Sequence, residues 1–237
     1  MGASGPEADG PGADPGARGS QRIADGDDLE AERAEIVRYA RRLGPDGLAV
    51  GTAGNLSVRV GDHVVVTPSG ASYESMRPED VCVVRLDGTK VSGRGEVSSE
   101  WPMHHEVYVT TDARAVVHTH STEVVALSAT LEVLPAVHYA IVALGGPVRV
   151  APYARFGSVD LARAVGTALA GRSAAILENH GALTYGETLE RAYERALLLE
   201  WLCGVYRRSL SYGVPRILTG AELDAVWEEM RRRRYGE

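Results

Sequence analysis

The sequence predicts an α/β layered domain built on a mostly antiparallel sheet. Two observations carry this. Short apolar, β-branched runs are joined in pairs by tight two-residue turns, and these pairs are mixed with stretches of helical periodicity. Two-residue turns link antiparallel strands, whereas a doubly wound parallel sheet needs a long crossover after each strand. The 237 residues suffice for one domain with a sizeable core.

The elements follow in order. Residues 1–26 are rich in Gly, Ala, Pro and Asp, with no aromatic and no large aliphatic before Ile23. Such a segment buries too little apolar surface to offset its ordering entropy, so it is expected to be a disordered tail, with the folded domain spanning 27–237. Asp27 or Asp28 is a candidate cap for a helix carrying Ile36, Val37, Tyr39, Ala40 and Leu43, stopped by Gly44-Pro45-Asp46-Gly47. Two hairpins come next: Leu56–Val60 with His63–Thr67 around Gly61-Asp62, and Val81–Leu86 with Lys90–Val91 around Asp87-Gly88. Ser98-Ser99 precedes a helix from Glu100 to about Thr110, with Pro102 tolerated in its first turn. A strand at Val116–His120 leads into a helix at Ser121–Thr130. Val148–Ala151 reads as a strand and Asp160–Ala170 as a helix ended by Gly171. Strands at Ala174–Glu178 and Ala182–Tyr185 flank Asn179-His180-Gly181. A long helix from Thr188 to about Ser211 precedes a last one opened by the capping box of Thr219 and Glu222.

Composition narrows the function classes. A formal net charge of −7 lacks the basic footprint of a general nucleic-acid binder, yet leaves room for a small anionic substrate in a locally positive pocket. No apolar stretch reaches bilayer length, and the N-terminus lacks the basic-then-apolar order of a secretory leader. Cys82 and Cys203, each inside an apolar run, read as two buried free thiols of a reducing cytoplasm.

The sharpest chemical feature is His118-Thr119-His120. Residues two apart on a strand share a face, so two imidazoles can converge on one ion at about 2.0–2.1 Å each for zinc. His180, in a tight turn after an apolar strand, can supply a third. Three neutral ligands leave an open coordination position and a strong Lewis acid, the layout of a catalytic zinc site. Glu100, a first-turn helix residue after two serines, is the natural carboxylate partner. His63 in its hairpin reads as a solvated strand residue, and His138 as structural. For His104 and His105, core packing or a helix hydrogen bond is the expected role, with orientation of Glu100 or a ligand by one of them the alternative. His118-x-His120 with Glu123 loosely imitates a cupin ligand run, but the spacing is short and the helix after His120 conflicts with an all-β fold. Three turn segments suit an anion: Gly51–Asn55, Thr67–Gly70 and Ser98-Ser99. None holds Lys or Arg, so backbone N–H groups and hydroxyls would do the holding.

Gly51-Thr52-Ala53-Gly54-Asn55-Leu56-Ser57, Thr67-Pro68-Ser69-Gly70, Ser98-Ser99-Glu100-Trp101, His118-Thr119-His120, Ala151-Pro152-Tyr153-Ala154-Arg155-Phe156-Gly157 and Asn179-His180-Gly181 stand in one order. In that order the chain resembles the class II aldolases of the L-fuculose-phosphate aldolase type, from about Leu29 to Glu237. The resemblance implies a three-layer α/β/α fold with a central, mostly antiparallel sheet. It also implies a zinc-dependent homotetramer with active sites between subunits, cleaving a ketose 1-phosphate to dihydroxyacetone phosphate and an aldehyde. His118, His120 and His180 become zinc ligands, and Glu100 the acid/base that also touches the metal. Asn55, Ser69, Gly70, Ser98 and Ser99 become the phosphate site. Tyr139 matches a tyrosine that reaches the adjacent subunit's site, Tyr235 a tail residue that closes over it, and Phe156 an aromatic near the substrate. Pentulose-phosphate 4-epimerases and methylthioribulose-1-phosphate dehydratases share this pattern, though the epimerases carry Asp at the Glu100 position. The adducin head shares the fold as a non-catalytic interaction domain without the metal site. The short tail after Tyr235 departs from the family, as does the N-terminal extension.

Overall fold

The computed structural model describes residues 1–2 and 29–233. The expected tail and the caps Asp27 and Asp28 lie outside those residues, as does Tyr235. Nine strands form one mixed sheet: β1 Asn55–Val60, β2 His63–Val66, β3 Cys82–Arg85, β4 Lys90–Ser92, β5 Ala115–Thr119, β6 Val133–Leu134, β7 Val148–Ala151, β8 Ala174–Leu177 and β9 Gly181–Gly186. Their spatial order is β4-β3-β2-β1-β5-β9-β8-β7-β6, and among the described residues only the β7–β8 pair runs parallel. Six helices complete the described chain: α1 Glu30–Ala40, α2 Trp101–Thr110, α3 Thr122–Ser128, α4 Val159–Ala168, α5 Leu189–Tyr212 and α6 Gly220–Arg232.

Alternation along the strands sorts side chains into two apolar layers. On one face, Val64, Val66, Val116, Leu177 and Leu183 pack with Met103 and Val107 of α2 and Leu161 and Val165 of α4. On the other, Leu56, Val65, Val83 and Val117 meet α1 and the first half of α5. Ile176 and Ala182 meet α3, the second half of α5 and α6 on that same side. Helices on both sides make three layers, and they explain why the central strands read HVVV, AVVH and AAIL instead of alternating apolar with polar.

This two-sided cover corrects the reading of His63. It sits on β2, an interior strand between β1 and β3, and is 6% exposed, with neither ring nitrogen hydrogen-bonded. The α1 start also differs from expectation: Leu29 occupies the N-cap with no side-chain hydrogen bond. The short strand β6 and the 3-10 turns at Pro78–Asp80 and Tyr139–Leu144 were not expected from the sequence. The Thr219–Glu222 capping box is formed in both directions.

Candidate active site

The site gathers at one end of the three central strands. Register puts Asn55, the first residue of β1, opposite His118 near the end of β5, while the β8–β9 turn lies beside them. The loop into β1 turns on Gly54, whose φ of +81° suits glycine; a Cβ there would lie 2.8 Å from the His118 carbonyl oxygen. Tyr73 donates its hydroxyl to the Gly54 carbonyl at 2.5 Å and pins this loop. The β8–β9 turn runs through Asn179 at φ +53°, a left-handed position that asparagine tolerates. Gly181 follows because a Cβ there would meet the Thr119 carbonyl at 2.2 Å. His180 is thereby carried to the strand that bears His118.

The three imidazole rings lie edge to face with centroids 4.8–5.0 Å apart. His118 Nδ1 donates to the Ala182 carbonyl at 2.8 Å, which in the neutral ring leaves Nε2 as the lone-pair atom. That Nε2 is 2.9 Å from His120 Nε2 and 3.0 Å from Glu100 Oε2. His180 Nε2 is 3.3 Å from Glu100 Oε1, an atom that is buried and takes no well-formed hydrogen bond. One donor atom from each of the four residues falls within 4.8 Å of the others. Electron-rich atoms crowded in this way, away from water, call for positive charge at their centre. Donors about 2.0–2.1 Å from one ion at tetrahedral angles stand about 3.3 Å apart, close to the separations seen. The donor set therefore fits a divalent metal ion.

Electrostatics show the same demand for positive charge beside Glu100. Burial resists ionisation of Glu100, but the charge and hydrogen bonds of His118 and His180 outweigh it and hold the carboxyl below its ordinary value. Burial presses His118 toward neutrality, and the Glu100 carboxylate reverses the direction and raises its pKa. His120 is pushed down to about 3, by burial first and then by the other two histidines, so its ring is neutral and able to ligate.

A pocket of about 320 Å³ opens in front of this cluster. Asn55, Ser69, Gly70, Ser98 and Ser99 line it together with Glu100, His120 and His180, while Tyr153 and Phe156 form an aromatic wall. No Lys or Arg is among these lining residues. His118 is fully buried and is not among the lining residues. Glu100 occupies the N-cap of α2, one residue before the first turn in which it was expected, and its N–H donates to Ser98 Oγ at 3.2 Å. Tyr139 is not at this chain's own pocket. It opens a 3-10 turn, is 55% exposed and packs its ring on His138. Glu123 turns away from the cluster to Arg207, at 2.5 and 2.8 Å, so it makes no cupin-like ligand set.

Two further residues support the site, one unexpected and one expected only as an alternative. Tyr73 supports the Gly54 loop, with no sequence signal to mark it. His104 is fully buried and its Nε2 is 2.5 Å from Asn55 Oδ1, while Asn55 Nδ2 donates to Glu100 Oε2 at 2.9 Å. The i, i+4 spacing of Glu100 and His104 was the available signal.

Comparison with known proteins agrees with this geometry. The family described as Class II Aldolase and Adducin N-terminal domain matches residues 34–207. The chain is 37% identical over 209 residues to a 5-methylthioribulose-1-phosphate/5-deoxyribulose-1-phosphate aldolase of Rhodospirillum rubrum, covering 87% of this chain and 93% of that protein. It is 38% identical over 189 residues to an L-fuculose phosphate aldolase of Escherichia coli, covering 78% and 87%. A solved structure of an L-fuculose 1-phosphate aldolase superposes with a TM-score of 0.81 at 34% identity, covering 84% of this chain and 95% of that one. With this fold, this cluster and these relatives, the chain belongs to the class II aldolase and adducin N-terminal domain family and is an enzyme of the metal-dependent aldolase kind.

Proposed function

We propose that this enzyme binds zinc through His118, His120 and His180 and cleaves a ketose 1-phosphate to dihydroxyacetone phosphate and an aldehyde. The observation that carries the reading is the convergence of three imidazoles and the Glu100 carboxylate at the floor of a pocket lined by hydroxyls and turn N–H groups. Bound zinc would supply Lewis-acid stabilisation of the negative charge that develops on the substrate oxygens as the carbon–carbon bond breaks.

The remaining chemistry falls to the chain's own side chains. Ser69, Gly70, Ser98, Ser99 and Asn55 hold the phosphate with neutral donors and so fix the ketose with C3 near Glu100. Tyr139 from a neighbouring subunit of a homotetramer takes the proton of the C4 hydroxyl, which starts the retro-aldol cleavage. Glu100, which takes up a proton from water in the pocket, gives it to C3 and completes the triose phosphate, while Tyr139 releases the C4 proton to solvent. Its place in contact with two histidines suits an acid/base group, a role typically worth about 10²–10⁴-fold in rate. Residues 27–237 form the catalytic domain, residues 1–26 a tail outside it, and the enzyme works in the cytoplasm.

For the sugar, the aromatic wall of Tyr153 and Phe156 favours an apolar end, as in a 5-deoxy- or 5-methylthio-ribulose 1-phosphate. The relative from Rhodospirillum rubrum carries that activity in its name. L-fuculose 1-phosphate is the second reading, supported by the TM-score of 0.81 to such an aldolase. Assay of the purified protein against a panel of ketose 1-phosphates and 5-phosphates decides between them. Triose phosphate is the product expected; an epimer or a dehydrated sugar would move the reaction to another branch of the family.

A further inference from the structure

We infer that His104, Ser57 and Tyr108 are positioning residues that fix the orientation of the Asn55 amide, and through that one amide set both the acid/base carboxylate and the phosphate pocket. The inference rests on the function proposed above and adds to it a buried, directed hydrogen-bond relay.

The relay is forced by chemistry from its carboxylate end. Ionised Glu100 can only accept, so the Asn55 group 2.9 Å from its Oε2 must be the NH₂. Asn55 Oδ1 then faces His104 Nε2 at 2.5 Å, and an amide oxygen can only accept, so Nε2 carries the proton. In the neutral ring Nδ1 is then an acceptor, and Ser57 Oγ, 2.7 Å away, must donate to it. The Ser57 oxygen is left to accept from the Tyr108 hydroxyl, also at 2.7 Å. The result is a single file of donors running from Tyr108 through Ser57, His104 and Asn55 to Glu100. Ser57 and His104 are 0% exposed and Tyr108 2%, so no solvent competes for the links behind Asn55.

The geometry behind the relay is simple. Glu100, His104 and Tyr108 recur every fourth residue along α2, a step of about 6 Å, and Asn55 and Ser57 every second residue along β1, a step of about 6.6 Å. Nearly equal steps let the helix side chains mesh with those of the strand at two successive levels. Asn55 Nδ2 has a second hydrogen that the relay does not use, and Asn55 lines the pocket. A flipped amide would turn its oxygen toward Glu100 and remove that donor from an anionic ligand, so one wrong orientation harms both sites.

The test compares wild type with His104→Leu, His104→Gln and Ser57→Ala. It measures zinc affinity by chelator competition, and kcat and KM for the ketose 1-phosphate that the wild type cleaves. His104→Leu is expected to lower zinc affinity and kcat about 10–100-fold, the usual cost of losing a residue that orients a metal-site ligand, and to raise KM. His104→Gln, which retains an N–H for Asn55 Oδ1, should recover most of that loss. Ser57→Ala, two side chains removed from the carboxylate, should shift zinc affinity, kcat and KM in the same directions by a smaller factor. Wild-type constants in His104→Leu would overturn the relay, as would a His104→Gln variant as impaired as His104→Leu, which would make the histidine a packing residue. If His104→Leu does not fold, Ser57→Ala decides: unchanged zinc affinity, kcat and KM overturn the inference. If the wild type cleaves no ketose phosphate, the proposed function fails, while the zinc affinities of the same variants still decide the relay.

Discussion

Glu100 carries two duties at once, facing His118 and His180 on one side and the pocket on the other. Removing its charge while keeping its shape separates them. Glu100→Gln is expected to keep zinc on the three histidines when zinc is in excess, at an affinity lowered at least as much as in His104→Leu. It should lose about 10²–10⁴-fold in cleavage rate, checked by metal content and single-turnover product formation at saturating zinc. Gly54 is a second single-residue test, because the site needs its left-handed backbone and its missing Cβ at 2.8 Å from the His118 carbonyl. Gly54→Ala should cost on the order of 1–3 kcal/mol in urea unfolding, since both the φ angle and the contact resist a methyl group. The histidines that converge with Glu100 were legible in the sequence because His118-x-His120 and the Asn179-His180-Gly181 turn are compact local patterns. His104 was legible only as an alternative to a packing role, since its partner Asn55 lies 49 positions away and nothing in the chain announces which strand α2 will cover.

At the scale of elements, α3 shows how a short helix is held beside the site. Its first N–H groups, on Glu123 and Val124, donate to the Glu200 carboxylate of α5 at 2.9 and 3.0 Å, while Glu123 pairs with Arg207 of the same helix. Glu200→Ala leaves those helix-end donors unpaired and should cost about 0.5–2 kcal/mol in chemical unfolding, the usual range for a lost cap. The Glu123 carboxyl is held below its ordinary value chiefly by the hydrogen bond from Arg207. Because the folded value is depressed, its contribution is present above the unfolded glutamate value of about 4.3 and is lost as pH falls through the lower folded value. Thermal melts of wild type and Glu123→Gln should therefore differ at neutral pH and converge in acid. Most elements could be read from sequence because β-branched runs between glycine turns and helices with Ser or Thr caps carry their own signals. The two-residue strand β6 and the 3-10 turn at Tyr139–Leu144 carry none, being too short for any periodicity. His63 was misread for a related reason: a hairpin next to a polar turn looks solvated until helices are known to cover both faces of its strand.

For the molecule as a whole, the proposed assembly makes a prediction of its own. Tyr139 is exposed and away from its own pocket, so its proposed chemistry depends on a neighbouring subunit. Glu100→Gln and Tyr139→Phe proteins, each impaired alone, should regain about a quarter of wild-type activity when unfolded and reassembled together, because random mixing makes that share of shared sites complete. The three-layer fold exists in this reading to bring the ends of β1, β5 and the β8–β9 turn to one point, where the histidines meet Glu100. The most direct measurement of that claim is zinc content and aldol cleavage of the same preparation before chelation, after chelation and after zinc is restored. One zinc per chain is the expectation, with triose phosphate formation that disappears with the metal and returns with it. Undiminished cleavage by a metal-free protein would contradict it.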